Sequence, residues 1–308
     1  MGTSLTLLVL SNIIIDDVVL PDGVSHPDML GGAATYAAIG AAGYWPNVGI
    51  VAGVGGDFAN LGGDRLASLG IRAEGLLERD PFTIRNTLLY RKDSERTETP
   101  RFGAIHFDRM QLTPDDIPDV LLPAAGTYVF RDLSARFWEA FRRRRTQLGT
   151  TLWELQASVA TSKDWPQVRA RLADIDLFSL NLTEAAGLLG TRAPEHVVGE
   201  LLNAGVQAVI LRMGASGALL ATSNETLRLS PPASPIIDVT GAGNSFCGSF
   251  LAQWCATGSL ESAARAAAAA AAMCMSTFGP PARLDKAALD AWAAATRIER
   301  VGSIPRRG

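Results

Sequence analysis

Asp238-Val-Thr-Gly-Ala-Gly-Asn-Ser-Phe246 gathers the residue types in this chain best suited to chemistry. Gly241 and Gly243 leave backbone N–H groups uncovered by side chains, and the apolar run Phe246 to Ala256 predicts a helix starting at that turn. The helix adds the positive end of its dipole, so the turn suits a phosphate, or the charge that develops as a phosphoryl group moves. Ile236 and Ile237 come just before and predict a strand, making the unit strand, glycine turn, helix. A glycine turn alone also serves plain packing. Asp238 and Thr240 beside it, and the motifs that accompany it, favour the anion site.

Those further motifs lie upstream. Asn181-Leu182-Thr183-Glu184 starts a helix after a strand, sixty residues before Gly241. A glutamate there suits the helix dipole, and it also suits Mg²⁺ held through water, since that ion takes oxygen ligands and keeps several waters. Arg212-Met213-Gly214-Ala215-Ser216-Gly217 likewise follows a strand. Gly31-Gly32-Ala33-Ala34-Thr35-Tyr36 opens a helix running to about Gly43. Asp16, at the end of Ser11 to Asp17, is a carboxylate able to accept two hydrogen bonds from neighbouring hydroxyls; a loop acid in water is the plain alternative. Asp57 is expected as the N-cap of a helix over Phe58 to Leu69. Arg85 and Arg101 sit in or beside two β-segments, Thr83 to Arg91 and Arg96 to Phe102, separated by polar Lys92 to Glu95.

The elements that must position these groups read as an α/β chain. Leu5 to Leu10 and Asn47 to Val54 are continuous apolar runs, as in strands buried on both faces. Further strands are predicted at Thr127–Phe130, Thr150–Leu155, Asp176–Leu180 and Ala208–Leu211, and a β-pair at Gly217–Ala221 and Thr226–Leu229. Helices are predicted between them at about Ala135–Arg145, Lys163–Ala173, Glu184–Leu189 and Pro194–Ala204, and a last one over Leu284 to Ile298. This alternation predicts a doubly wound, mostly parallel central sheet flanked by helices, in one domain over 1–308. Ligands in such sheets sit at the carboxyl ends of the strands, where Asp16, Gly31, Asn181 and Gly241 fall.

Composition excludes other classes. The 308 residues are 47% hydrophobic and 19% charged, with a net charge of −3, so no basic field exists to draw in nucleic acid. The arginine run Arg142 to Arg145 follows Phe137, Trp138 and Phe141 and reads as the solvated face of an amphipathic helix. Cys247, Cys255 and Cys274 lie in apolar helical segments without CxxC spacing, which predicts reduced, buried thiols and a cytoplasmic protein. Met1 to Leu10 lacks a basic leader region, and the alanine-rich run Ala263 to Met273 is too short to span a bilayer, so no membrane partner is expected.

Asp-x-Thr-Gly-Ala-Gly-x-x-Phe, with the motifs at Gly31, Asn181 and Arg212, resembles the PfkB, or ribokinase-like, carbohydrate and nucleoside kinases over roughly Leu5 to Leu284. The resemblance implies a ribokinase-like fold with a small β lid, from segments about 12–24 and 82–108, and the cofactors ATP and Mg²⁺. It implies that Asp16, Gly31, Gly32 and Tyr36 hold a sugar or nucleoside, with Asp57 and Arg85 near them. It places Asn181, Glu184, Arg212, Gly214, Gly217, Asp238, Thr240 and Gly279 around the nucleotide. Glu184 would organise Mg²⁺ through water, and a monovalent cation would sit near Asp238. Gly241, Ala242 and Gly243 would receive the phosphoryl group, and lids in the family pair subunits into dimers. Two positions depart from the pattern: Tyr36 stands where an asparagine is frequent, and Asn244 stands where the family has its catalytic aspartate. An amide takes up no proton at neutral pH, and general base catalysis typically contributes about 10²–10⁴-fold. Three readings stay open: a kinase with an altered or slow centre; a binding protein without turnover, in which Asn244→Asp restores activity; and an ATP-independent hydrolase on the same scaffold.

Overall fold

The computed structural model describes residues 5–91 and 96–302, so the predicted polar link Lys92–Glu95 lies outside the described residues. The chain runs β1 (Thr6–Leu10), β2 (Ile14–Val19), β3 (Ser25–Gly31), α1 (Ala33–Ala42) and β4 (Val48–Gly55). A π-helical turn, Ala59–Gly63, leads into the short α2 (Asp64–Ser68), then β5 (Arg72–Asp80), β6 (Arg85–Tyr90), β7 (Arg96–Pro100) and α3 (Gly103–Arg109). Alternation follows: β8 (Ala124–Arg131), α4 (Ala135–Arg144), β9 (Thr150–Leu155), α5 (Trp165–Leu172), β10 (Leu177–Asn181), α6 (Leu182–Leu189), α7 (Pro194–Asn203) and β11 (Ala208–Arg212). The hairpin β12 (Ala218–Thr222) and β13 (Thr226–Ser230) precedes the long helices α8 (Ala242–Thr257) and α9 (Leu260–Met275), then α10 (Lys286–Ala295) and β14 (Arg297–Gly302).

A ten-stranded sheet has the order β14-β13-β12-β11-β10-β9-β8-β1-β4-β5. From β5 to β11 every neighbouring pair is parallel, and the hairpin and β14 are added antiparallel at one edge. The alternation of side chains along each strand builds two cores. Leu7 and Val9 face α1, α8 and α9, while Leu8 and Leu10 face the other side with Trp138, Trp153 and Phe178. A second, four-stranded sheet has the order β3-β2-β6-β7. The fold is ribokinase-like, a large mostly parallel sheet flanked by helices with a smaller sheet beside it.

The Arg142–Arg145 run lies on the solvent side of α4, opposite buried Phe137, Trp138 and Phe141, as expected, and it also makes ion pairs. Arg142 pairs with Asp174 at 2.8 Å, Arg143 with Asp115 at 2.5 Å and Arg145 with Asp176 at 2.6 Å, which fastens the end of α4 to neighbouring loops. Several local expectations are corrected. The last helix stops at Ala295, and Arg297–Gly302 becomes an edge strand paired with β13. Strand β5, pairing with β4, and strand β3 were not anticipated, because their residues alternate too weakly between apolar and polar to announce a strand.

Helices α1 and α8 pack against the same face with their backbones close together. A Cβ at Gly248 would overlap the Ala37 carbonyl oxygen, and one at Gly40 would overlap the Ser245 carbonyl. Those neighbours are backbone atoms, which cannot rotate aside. Gly248→Ala is therefore expected to push α1 and α8 apart and cost about 1–3 kcal/mol, read as a lowered midpoint in urea denaturation.

Candidate active site

The glycine turn sits where strand ends and a helix start converge, but no strand feeds it. Ile236 and Ile237 are 71% and 61% exposed, in irregular chain from 231 to 238. Pro231, Pro232 and Pro235 remove the N–H donors a strand needs. The segment is instead held by the Ile237 and Asp238 N–H groups, which donate to the Met275 carbonyl at the end of α9. Asp238 then organises the turn: its Oδ1 accepts the Thr240 N–H at 2.9 Å and its Oδ2 the Gly279 N–H at 3.3 Å. Gly241 has φ 75°, a left-handed conformation, and a Cβ there would run into the Tyr36 ring. The sixteen-residue α8 begins at Ala242, and the first N–H groups of any helix lack intrahelical acceptors.

Beneath that turn lies a charged cluster built on successive strand ends. Glu154 near the end of β9 is 2% exposed, and its Oε1 accepts from Arg212 Nη2 at 2.9 Å, at the end of β11. Glu184 Oε2 stands 3.8 Å from the same nitrogen. Arg212 Nε also donates to Ser179 Oγ at 3.2 Å on β10. The guanidinium presses against Gly243, where any Cβ would overlap Arg212 Nη1. A positive charge is thus fixed directly against the glycine turn. Asn244, in the first turn of α8, donates from Nδ2 to Tyr128 Oη at 3.1 Å and to Glu154 Oε2 at 3.2 Å. Tyr128 in turn donates to Glu154 Oε2 at 2.6 Å. Tyr128 and Glu154 were missed from sequence. The available signal was Glu154 itself, a lone acid inside the apolar strand Thr150–Leu155.

Asn181 and Glu184 form a reciprocal cap on α6: Asn181 Oδ1 accepts the Thr183 and Glu184 N–H groups at 2.9 Å, and Glu184 Oε2 accepts the Asn181 N–H at 2.7 Å. Burial pushes the Glu184 carboxyl above its ordinary range; Arg212 and the Asn181 N–H pull it back, and Glu154 adds to the rise.

On the other side, Asp16 on β2 is 8% exposed and lies against Gly31, where a Cβ would overlap its Oδ2. Gly32, φ 85°, opens α1, and a Cβ there would strike the backbone of Asn12 and Ile14. Tyr36 is buried between the two halves of the site. Burial raises its phenol far above the ordinary value, and the charges of Cys274, Asp238 and Asp16 add to it. The small sheet closes over this region: Tyr90 Oη lies 2.9 Å from Thr240 Oγ1, the His26 and Phe278 rings are 4.8 Å apart, and a Cβ at Gly279 would meet the Met29 terminal methyl.

The structure therefore gathers Asp16, Gly31, Tyr36, Asp238, Thr240, Gly241 and Gly279 around Tyr36 and Tyr90, and Glu184, Arg212, Gly243 and Asn244 around Arg212. Four further predicted residues have structural partners of their own. Asp57 is not an N-cap; its Oδ1 accepts the Thr83 N–H at 2.8 Å and hydroxyl at 2.7 Å, because the chain after it begins with a π-turn and returns beside β6. Arg85 is paired with Asp17 at 3.1 Å and Asp28 at 2.6 Å. Gly217 serves the β12–β13 hairpin, where a Cβ would overlap the Leu229 carbonyl, while Gly214, φ 58°, begins the short turn before it.

A match to the pfkB family carbohydrate kinases covers residues 30–287. The chain belongs to that family. Relatives and neighbours within it are diverse. The chain is 30% identical to an ATP-dependent 6-phosphofructokinase of Thermoanaerobacterium thermosaccharolyticum over 27% of its own length, and that match spans 26% of the relative. It is 24% identical to a cytidine kinase of Thermococcus kodakarensis, covering 85% of this chain and 92% of the relative. Among solved structures, an adenosine kinase from Sinorhizobium meliloti superposes with a TM-score of 0.77 at 21% identity, over 95% of this chain and all of that one, 100%.

Two predictions follow from the site's burial. Arg212→Met leaves the Glu154 carboxylate buried beside no cation within contact, so it should lose about 3–5 kcal/mol in denaturation. The cysteines should resist thiol reagents. Burial lifts Cys274 to about 12, with Asp238 adding to the rise, and Cys255 to about 11, and it lifts Cys247 well above the ordinary thiol value. At pH 8 the thiolate fractions of Cys255 and Cys274 are then about 10⁻³ and 10⁻⁴, so native labelling by a disulfide reagent should be slow, rise with pH, and become rapid on unfolding.

Proposed function

We propose that the protein transfers the terminal phosphoryl group of ATP to a hydroxyl of a small sugar or nucleoside. One observation carries the reading: the Gly241–Gly243 turn opens a sixteen-residue helix with the Arg212 guanidinium fixed against it. Uncovered N–H groups, a helix dipole and a buried cation aimed at one spot favour an anion there. Family membership supports the same reaction class. So does a ribokinase II of Escherichia coli solved with ATP and Mg²⁺, which superposes with a TM-score of 0.79 at 18% identity over 94% of this chain and 99% of that one.

The residues present fit a nucleotide's phosphates. A side chain at Gly241 or Gly243 would fill the cradle, and Arg212 supplies charge beside it. Among the described residues no set of three or more His, Cys, Asp or Glu is gathered for a metal. Mg²⁺ would accordingly be held by phosphate oxygens and water, with Glu184 and Asn181 ordering that water. ATP·Mg²⁺ supplies the phosphoryl group and neutralises its charge. The chain's own part is positioning. Asp16, seated against Gly31, grips neighbouring hydroxyls of the acceptor. The N–H groups of Gly241 and Gly243 and the Arg212 guanidinium take the charge of the group in flight, while the Ala242 N–H already donates to the Val239 carbonyl at 3.3 Å. Tyr36 limits the acceptor's size and excludes water, and the Tyr90 contact to Thr240 holds the small sheet closed as a lid.

A coupled ADP-release assay with ATP·Mg²⁺ across a panel of sugars and nucleosides tests this. Acceptor-dependent ADP is the expected result. ATP binding by calorimetry without ADP from any acceptor would favour the binding protein, the reading that Asn244 recommends. Turnover of a phosphorylated compound without ATP would favour the hydrolase.

A further inference from the structure

The question left by the site is what Asn244 does where a carboxylate would stand. Its surroundings answer it. Tyr128 Oη at 3.1 Å and Glu154 Oε2 at 3.2 Å both accept from Nδ2, and because those two oxygens lie 2.6 Å apart they share one of its hydrogens. The reverse amide orientation would set the Oδ1 lone pairs against the Glu154 carboxylate, which has no hydrogen to give when ionised. Glu154 in turn cannot swing away. Its Oε1 is held by Arg212 at 2.9 Å and its Oε2 by Tyr128 at 2.6 Å, and both Glu154 and Tyr128 are buried. Asn244 is only half buried. Its covered side is the Nδ2 side, so Oδ1 is left on the side away from the cluster.

We propose that Glu154, with Tyr128, is a positioning residue that locks the Asn244 amide so that its Oδ1 accepts the hydrogen bond of the acceptor hydroxyl, the site's carboxylate being lodged at residue 154 and not at 244. This rests on the phosphotransfer reading above. In a loose phosphoryl-transfer transition state the nucleophile needs orientation more than early deprotonation. The new bond forms between the acceptor oxygen and the terminal phosphorus. The bond from that phosphorus to the bridging oxygen breaks, its electron pair leaving with ADP, and the hydroxyl proton passes to an oxygen of the transferred group.

The arrangement reverses the expectation that Asn244→Asp repairs the site. An aspartate there would put a second carboxylate about 3 Å from Glu154 with Arg212 able to offset only one, and like charges so close do not both ionise. Asp at 244 becomes acceptable only once residue 154 is neutral.

The experiment compares the native protein, Asn244→Asp, Glu154→Gln and the double variant. In urea denaturation without ligands, Asn244→Asp should show a lowered midpoint at pH 8 that recovers at pH 5, and the double variant should recover at pH 8. In ADP release with the best acceptor, each single variant should lose kcat by at least about tenfold with the KM for ATP within about twofold of native, and the double should exceed both singles. Tyr128→Phe removes one Nδ2 acceptor without changing charge and should lower kcat by about threefold or more, which keeps the test open if the Glu154 variants do not fold. Asn244→Asp equal to native in stability at pH 8, or faster than native in ADP release, overturns the proposal. If the native protein releases no ADP with any acceptor, the phosphotransfer reading fails. The denaturation cycle then still decides whether Glu154 and residue 244 are coupled as argued.

Discussion

The buried ion pair between Arg212 and Glu154 is the contact on which the rest of the site depends. Each charge alone would be costly at this depth, and removing one partner of such a pair is far more damaging than replacing both. The pair joins the ends of β9 and β11 across β10, and the guanidinium also reaches Ser179 on the strand between. Because Arg212 lies directly under Gly243, the position of the first turn of α8 is set by the same interaction. The glycine is thus required by the arginine it must clear.

Around that pair the molecule arranges charge economically. The first turn of α8 contains no acidic residue, so its dipole is not cancelled locally. The acidic groups lie one layer below, on Glu154, and to the side, on Glu184, both within reach of Arg212. The amide of Asn244 bridges these layers and carries no charge of its own. Phosphoryl transfer relies chiefly on positioning and electrostatics, and such a layout puts the positive potential at the surface of the turn and the negative below it.

The small sheet is tied to the same turn by neutral contacts, Tyr90 with Thr240 and His26 with Phe278, while its own charges are satisfied internally through Arg85, Asp17 and Asp28. Tyr36 fills the space between the sheets. Ion pairs within the sheet keep it a coherent unit, and the contacts across to the turn are few enough to be exchanged for contacts to a ligand.

Local patterns were legible. Apolar runs such as Leu7–Leu10 and Ala208–Leu211 gave strands of the central sheet, because burial on both faces favours apolar side chains there. Glycines at 31, 32, 241 and 243 marked close backbone approaches. Errors arose where a local signal met a tertiary constraint. Ile236 and Ile237 resemble a strand, but the prolines around them left no ladder to join. Asp57 resembles an N-cap, but Thr83 returns to it from twenty-six residues away. What the sequence by itself determined was the α/β class, the family and the glycine turn that opens α8, since hydrophobic period and glycine placement are properties of neighbouring residues. What only the tertiary structure decided was the company of Asn244: Tyr128 and Glu154 lie 116 and 90 residues away in the chain. Their meeting depends on strand order and register, which no short stretch of sequence encodes.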